Sequence, residues 1–180
     1  MHGVSSGALR AAARSLPTGV TVVTSGRGDE VHGMTVNSFA TLSLSPPLVT
    51  FSVQDGARIE RLIESCAGFV VNILSTKQVG LARWFASRDR PWGIESFSAV
   101  ETAGNAATGG VRLAGTVGWF VCTVVQLTRV GDHTLVIGAV TDCGAAMGEA
   151  EPLVFGGGGF HALGSPVPET AERTAKAQDR

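Results

Sequence analysis

Gly33-Met34-Thr35-Val36-Asn37-Ser38, followed by Ser45-Pro46-Pro47 and, far downstream, by Gly131-Asp132-His133, is the set of stretches on which the reading of this chain turns. The first sets a short row of hydroxyl and amide side chains between apolar, strand-like neighbours. Pro46-Pro47 imposes extended backbone ahead of Leu48-Val49-Thr50-Phe51-Ser52-Val53. In that strand Val49, Phe51 and Val53 share one face, while Leu48, Thr50 and Ser52 form a mixed face that can meet a polar ligand. Gly131-Asp132 is turn chemistry, joining a β-rich segment from Thr116 to Val130 to a hairpin partner from Thr134 to Thr141. The arrangement offers many neutral hydrogen-bond donors to a polar, planar ligand, and neither a metal cage nor a nucleophile.

Working outward, Leu9, Ala12, Ala13 and Leu16 recur at helical spacing, which predicts a helix with one buried face, stopped by Pro17 and Gly19. Val20-Thr21-Val22-Val23-Thr24 reads as a strand and Gly26-Arg27-Gly28-Asp29 as its turn. Ile59, Leu62, Ile63 and Cys66 form the apolar stripe of a second helix, broken by Gly68. Phe69-Val70-Val71-Asn72-Ile73-Leu74 is a further strand. Ser75-Thr76-Lys77-Gln78 has the form of a capping box before a helix whose apolar face is Leu81, Trp84 and Phe85. Residues 89–110 form a polar excursion anchored by Trp92, Ile94 and Phe97. Pro152-Leu153-Val154-Phe155 reads as the last short strand. Many strands, two or three short helices and no regular βαβ alternation predict a mainly β fold, an antiparallel barrel with helical covers.

The chain has 180 residues, enough for one domain with a real core. Its 14 Lys and Arg against 15 Asp and Glu leave a net charge of −1, without the basic excess that nucleic acid or an anionic membrane attracts. Charged residues are only 16% against 44% hydrophobic, so much of the chain must be buried in a core or a subunit interface. Cys66, Cys122 and Cys143 lack C-x-x-C spacing and read as reduced thiols. Arg10 and Arg14 interrupt the alanine-rich N-terminal stretch, so it is no signal peptide, and no apolar run is long enough for a membrane span. A soluble, cytoplasmic protein is expected.

Several motif matches fail on context. Gly3-Val4-Ser5-Ser6-Gly7 fits G-x-S-x-G, but no strand precedes it as a nucleophile elbow requires. Gly157-Gly158-Gly159-Phe160-His161-Ala162 fits G-x-G-x-x-A but follows the last strand instead of opening a helix in a βαβ unit. His2, His32, His133 and His161 have no zinc spacing to the cysteines, so no metal site is expected. The Thr35–Ser38 row can be plain strand-end chemistry or a ligand cradle, and His133 can be an ordinary exposed turn residue or a group overhanging a pocket.

Together these blocks resemble the flavin reductase-like family, the reductase components of two-component flavin-dependent monooxygenases. The likeness runs from Leu9 to Leu163. It rests on Leu16 to Thr24, Gly33 to Phe39, Leu42 to Val49, Phe69 to Leu74, Ala82-Arg83-Trp84-Phe85-Ala86 and Gly131-Asp132-His133-Thr134-Leu135, in that order. It implies an FMN-binding split β-barrel of antiparallel Greek-key type over residues 1–163; residues 164–180, without a hydrophobic period, read from composition as a disordered tail. It also implies a homodimer that binds FMN or FAD and takes hydride from NADH or NADPH. By the same resemblance Met34, Thr35, Val36, Asn37 and Ser38 line the isoalloxazine and ribityl chain, and Ser52, Val53 and Gln54 continue the flavin wall. Ala57 and Arg58 mark the helix start that receives the phosphate, and His133, the catalytic candidate, faces the nicotinamide nucleotide.

Two positions depart from the family pattern. Ala57 and Ile59 stand where Ser and Thr are common, and Phe155 is followed by glycines where a basic residue is usual. Arg58 and the helix N-terminus remain for the phosphate. The implied function is an NAD(P)H:flavin oxidoreductase that supplies reduced flavin to a separate monooxygenase. Two alternatives stay open: an enzyme with tightly held FMN acting on another acceptor, and a non-catalytic flavin-binding protein.

Overall fold

A computed structural model describes residues 3–146 and 150–166. Ser5 caps the first helix, α1 (Ser6–Ala13), by accepting from the Ala8 N–H at 3.2 Å, so the serine of the G-x-S-x-G match is a helix cap. In chain order there follow β1 (Thr18–Gly19), β2 (Thr21–Ser25), β3 (His32–Val36), β4 (Ala40–Leu44) and β5 (Pro47–Gln54). Next come α2 (Arg58–Cys66), β6 (Gly68–Ile73), α3 (Val79–Ala86), β7 (Thr102–Asn105) and β8 (Val111–Leu113). The long hairpin β9 (Gly118–Val130) and β10 (His133–Ala145) precedes β11 (Val154–Gly156) and β12 (Gly159–His161).

Seven of these strands form one antiparallel sheet in the order β3-β2-β6-β9-β10-β5-β4. Strands β5 and β6, consecutive along the chain, are separated by β9 and β10, the crossing connection of a Greek key. The sheet is rolled, because one core takes Val23, Val36, Phe51, Val53, Phe69 and Val136 from both of its halves, with Ile59 and Ile63 of α2 at the end. Ser38 holds the roll. Its hydroxyl donates to the Ser52 carbonyl at 3.3 Å and accepts from the Ser52 N–H at 3.1 Å, fastening the β3–β4 connector to β5. A second core, outside the sheet, joins Val20 and Val22 to Phe85 of α3, Phe97, Leu113 and Leu153.

The capping box at Ser75 forms as read, with Gln78 Oε1 accepting from the Ser75 N–H at 3.0 Å, but it opens a 3-10 turn that leads into α3. Gly33 lets α3 approach β3. A Cβ there would lie 2.6 Å from the Phe85 ring, so no larger residue fits without moving the helix.

Several expectations are corrected. No residue of α1 is buried, and Leu9 and Leu16 are 64% and 68% exposed. The segment after α1 is tied to the small β1–β11–β12 sheet, where Gly157 N–H donates to the Arg14 carbonyl, and α1 lies over neither core. Ala67, in a left-handed conformation with φ of 53°, ends α2, and Gly68 is instead the first residue of β6. Trp84 faces outward from α3, its Nε1 donating to the Ser96 carbonyl, and Ala82 takes the inward position beside Phe85. Of the three anchors assigned to residues 89–110 only Phe97 is buried; Trp92 and Ile94 are exposed. The final glycines are a hairpin: Gly157 and Gly158, both at positive φ, turn β11 into β12, a strand the sequence reading lacked. Cys122 is buried, Cys66 half-buried and Cys143 exposed, all as free thiols. Most of the tail assigned as disordered, residues 167–180, lies outside the described residues.

Candidate active site

A cleft of about 480 Å³ opens where the edge of β3, the end of β5, the start of α2 and the end of α3 meet. Met34 and Thr35 form one wall, Gln54 to Ile59 a second, and Ala86, Ser87, Arg88 and Arg90 the third, with His32 at the base. The local reasons are plain. β5 ends at Gln54, the turn at Asp55-Gly56 passes through a positive φ at Gly56, and α2 starts directly after Ala57. Ala57 supplies no side-chain cap and the Glu60 N–H donates to the Ala57 carbonyl at 3.0 Å, so the Arg58 and Ile59 amides are left to a ligand.

The electrostatics are cationic. Arg58, Arg88 and Arg90 line the cleft together with a single carboxylate, Asp55. That carboxylate is engaged elsewhere: Arg129 Nε donates to Asp55 Oδ2 at 2.7 Å. Glu60, behind the turn, accepts from the Gly56 N–H at 2.8 Å and from the Thr134 hydroxyl at 2.6 Å. Both acids therefore fasten the 55–60 turn to the β9–β10 hairpin, and neither pairs with the three arginines that line the cleft.

Arg90 is 8% and His32 2% exposed. The Arg90 guanidinium donates to the carbonyls of Gly33 and Ser87 and lies 2.8 Å from His32 Nε2. Since a guanidinium only donates, His32 Nε2 must accept, which puts the imidazole proton on Nδ1. Burial, then the charges of Arg90 and Arg58, push the His32 imidazole down to about 4, so it is neutral at physiological pH. Burial first and Arg58 second also lower Arg90. No carboxylate pairs with Arg90 among the described residues.

The residues singled out from sequence separate into three groups. Met34, Thr35, Gln54, Ala57 and Arg58 line the cleft. Within it the Thr35 hydroxyl donates to the Ala82 carbonyl at 2.7 Å, and Gln54 Oε1 accepts from Arg88 at 3.2 Å. Val36 and Val53 are core residues, 5% and 1% exposed. Asn37, Ser38 and Ser52 lie beyond the cleft, along the junction of β5 with the β3–β4 connector.

His133 stands at the tip of the β9–β10 hairpin, directly opposite Gln54 in the β5 register. Its Nδ1 is 2.8 Å from Asp132 Oδ1, and that hydrogen bond holds the Asp132 carboxyl below the usual carboxylate range. It does not line the cleft, although its register partner Gln54 does. The residues missed are His32, Asp55, Gly56, Ala86, Ser87, Arg88 and Arg90. A signal exists for the last two: arginines follow directly on a helix C-terminus in Ser87-Arg88-Asp89-Arg90, where the sequence reading assigns Arg88 to nothing and places Arg90 in the polar excursion of residues 89–110.

The cleft thus combines an uncapped helix N-terminus and three arginines with a half-apolar wall. That donor set fits a phosphorylated planar ligand.

Known proteins agree with that chemistry. The family model described as flavin reductase like domain matches residues 13–164. The NADH-dependent FMN reductase AsuE2 of Streptomyces nodosus subsp. asukaensis is 38% identical over 160 residues, covering 88% of this chain and 85% of that protein. The structure of the NADH:FAD oxidoreductase SgcE6 of Streptomyces globisporus C-1027, in complex with NAD and FAD fragments, superposes with a TM-score of 0.79 at 35% identity, covering 87% of this chain and 92% of that one. BorF, the flavin reductase component of a bacterial two-component tryptophan halogenase, superposes with a TM-score of 0.82 at 33% identity, covering 90% of this chain and all of that one (100%). The fold, the cationic cleft and a match that spans nearly the whole described chain make one statement: this protein belongs to the flavin reductase like domain family.

Proposed function

We propose that this protein is an NADH-dependent flavin reductase that takes FMN or FAD as a diffusible substrate and passes the reduced flavin to a separate monooxygenase. The observation that carries the reading is the cleft at the start of α2, with Arg58, Arg88 and Arg90 around an uncapped helix N-terminus and Met34 and Thr35 alongside. The activities named for AsuE2 and SgcE6 support NADH as donor and either flavin as acceptor. BorF, a component of a two-component system, supports the monooxygenase partner.

In this reading Arg58, Arg88 and the α2 amides hold the flavin phosphate, which answers the missing hydroxyls at Ala57 and Ile59 with guanidinium charge. Arg90 and His32 fix the floor. Met34, Thr35 and Gln54 flank the ring and ribityl chain. Asn37, Ser38 and Ser52 hold the neighbouring wall in register, with Val36 and Val53 anchoring it from the core. Bound flavin supplies the hydride acceptor; the chain's own contribution is to orient the two substrates and exclude water. His133, beside Gln54, contacts the nicotinamide nucleotide, and Asp132 orients its imidazole.

A homodimer and a cytoplasmic location belong to the proposal. Leu9 of α1, Leu16 just beyond it, and Leu42 and Leu44 of β4 are 51% to 89% exposed, apolar side chains that a second copy would cover. Free thiols suit a reducing compartment. No helix among the described residues is long and apolar enough to cross a membrane.

The test is a steady-state matrix of NADH and NADPH against FMN, FAD and riboflavin. NADH oxidation that depends on added flavin is the expected result. Absence of oxidation with every flavin would sink the reading, and flavin retained through dialysis without stimulation by added flavin would show a prosthetic group instead.

A further inference from the structure

Trp92 lies outside the cleft wall, 44% exposed, yet it touches two residues of that wall. Its ring is 4.9 Å from the His32 ring and 23° from parallel, and the Arg58 guanidinium carbon is 5.7 Å from its centroid. The two neighbours differ in kind. His32 is 2% exposed and held by Arg90, itself 8% exposed and bonded to two carbonyls, so the imidazole is a fixed backing. Arg58 is exposed, its guanidinium has no carboxylate partner among the described residues, and its long side chain is free to leave. An exposed cation–π contact is also weaker than the stacking of a nucleobase on an aromatic ring.

We propose that Trp92 is the adenine platform for FAD. When the cleft takes up a flavin, Arg58 moves from the indole to the phosphate and uncovers the ring. FMN ends at that phosphate and places nothing on Trp92; FAD continues past it, and its adenine stacks there. Trp92 is then the residue that sets the preference between the two flavins. This rests on the flavin reductase reading and adds the determinant that the reading leaves open.

The experiment compares kcat/KM for FAD and for FMN, at saturating NADH, in wild type, Trp92→Ala and Trp92→Phe. The FAD-to-FMN ratio should fall about tenfold in Trp92→Ala, equivalent to about 1.4 kcal/mol of lost binding. It should return to within about threefold of wild type in Trp92→Phe, which keeps an aromatic face. An unmoved ratio overturns the proposal. So does equal loss with both flavins, the mark of a purely structural role, or a change confined to the KM for NADH. If Trp92→Ala does not fold, AMP titration decides: it should quench indole emission in wild type and not in Trp92→Phe, and equal quenching in both overturns the proposal. A wild type that oxidises NADH with neither flavin sinks the underlying reading and this inference with it, whereas an active wild type with an unmoved ratio sinks this inference alone.

Discussion

The Thr35–Ser38 row and the arginines of the cleft invert the ordinary expectation about donors and charges. Hydroxyls in the row look like free donors. Yet Thr35 donates to Ala82, Ser38 clasps Ser52, and Val36 belongs to the core. Arginines look like a solvated surface. Yet Arg90 is nearly buried, and Arg58 and Arg88 face the cleft with the local carboxylates engaged elsewhere. The row therefore works as frame and the arginines as site. The physical reason is that a hydroxyl beside a backbone carbonyl satisfies its single donor there, whereas a guanidinium has more donors than its neighbours can accept.

The largest expected effect tests the buried end. His32 titrates near 6.5 when unfolded and at about 4 when folded, so between those values the unfolded chain binds more protons. Stability is full above about pH 6.5 and falls as the pH drops toward 4, by about 2 kcal/mol at pH 5 from this one group. Chemical denaturation of wild type and His32→Asn at pH 7 and pH 5 checks it. A wild-type slope no steeper than that of the variant would break the claim that the charged end is locked by a neutral histidine.

Next in size, Arg58→Ala should lower kcat/KM for FMN about tenfold, roughly the worth of one charge-assisted hydrogen bond. Riboflavin, which has no phosphate, should change by less than about twofold, since the variant removes no contact it makes. Equal loss for both flavins would move Arg58 from phosphate holder to frame. The smallest effect belongs to the row. Ser38→Ala should cost about 1 kcal/mol of unfolding free energy, read by denaturant titration, through loss of both bonds to Ser52. If it instead abolishes flavin turnover with stability intact, the row is site after all and the comparison fails.

Much of the fold was legible because its elements are local. Ile59, Leu62 and Ile63 bury the stripe that periodicity assigned them, Ser75 and Gln78 form their capping box, and Gly131-Asp132 turns the long hairpin. The site was legible only where it coincides with a strand end, at Met34, Thr35 and Gln54, and at the start of α2. Arg90 and His32 are 58 residues apart along the chain, and no spacing rule connects them. The α1 stripe misled for the complementary reason: periodicity shows that a face is apolar but not that this chain covers it.

By itself the sequence determined the mainly antiparallel architecture, its long hairpin at Gly131-Asp132 and the family whose six blocks it carries, since strand period, turn chemistry and caps act over a few residues. Tertiary structure alone decided which polar groups remain available to a ligand. Folding consumes the hydroxyls of the Thr35–Ser38 row in backbone bonds and brings Arg58, Arg88 and Arg90 around one uncapped helix end. Hydrogen-bond satisfaction and charge pairing are settled between residues distant in sequence, where only the packed chain can assign partners.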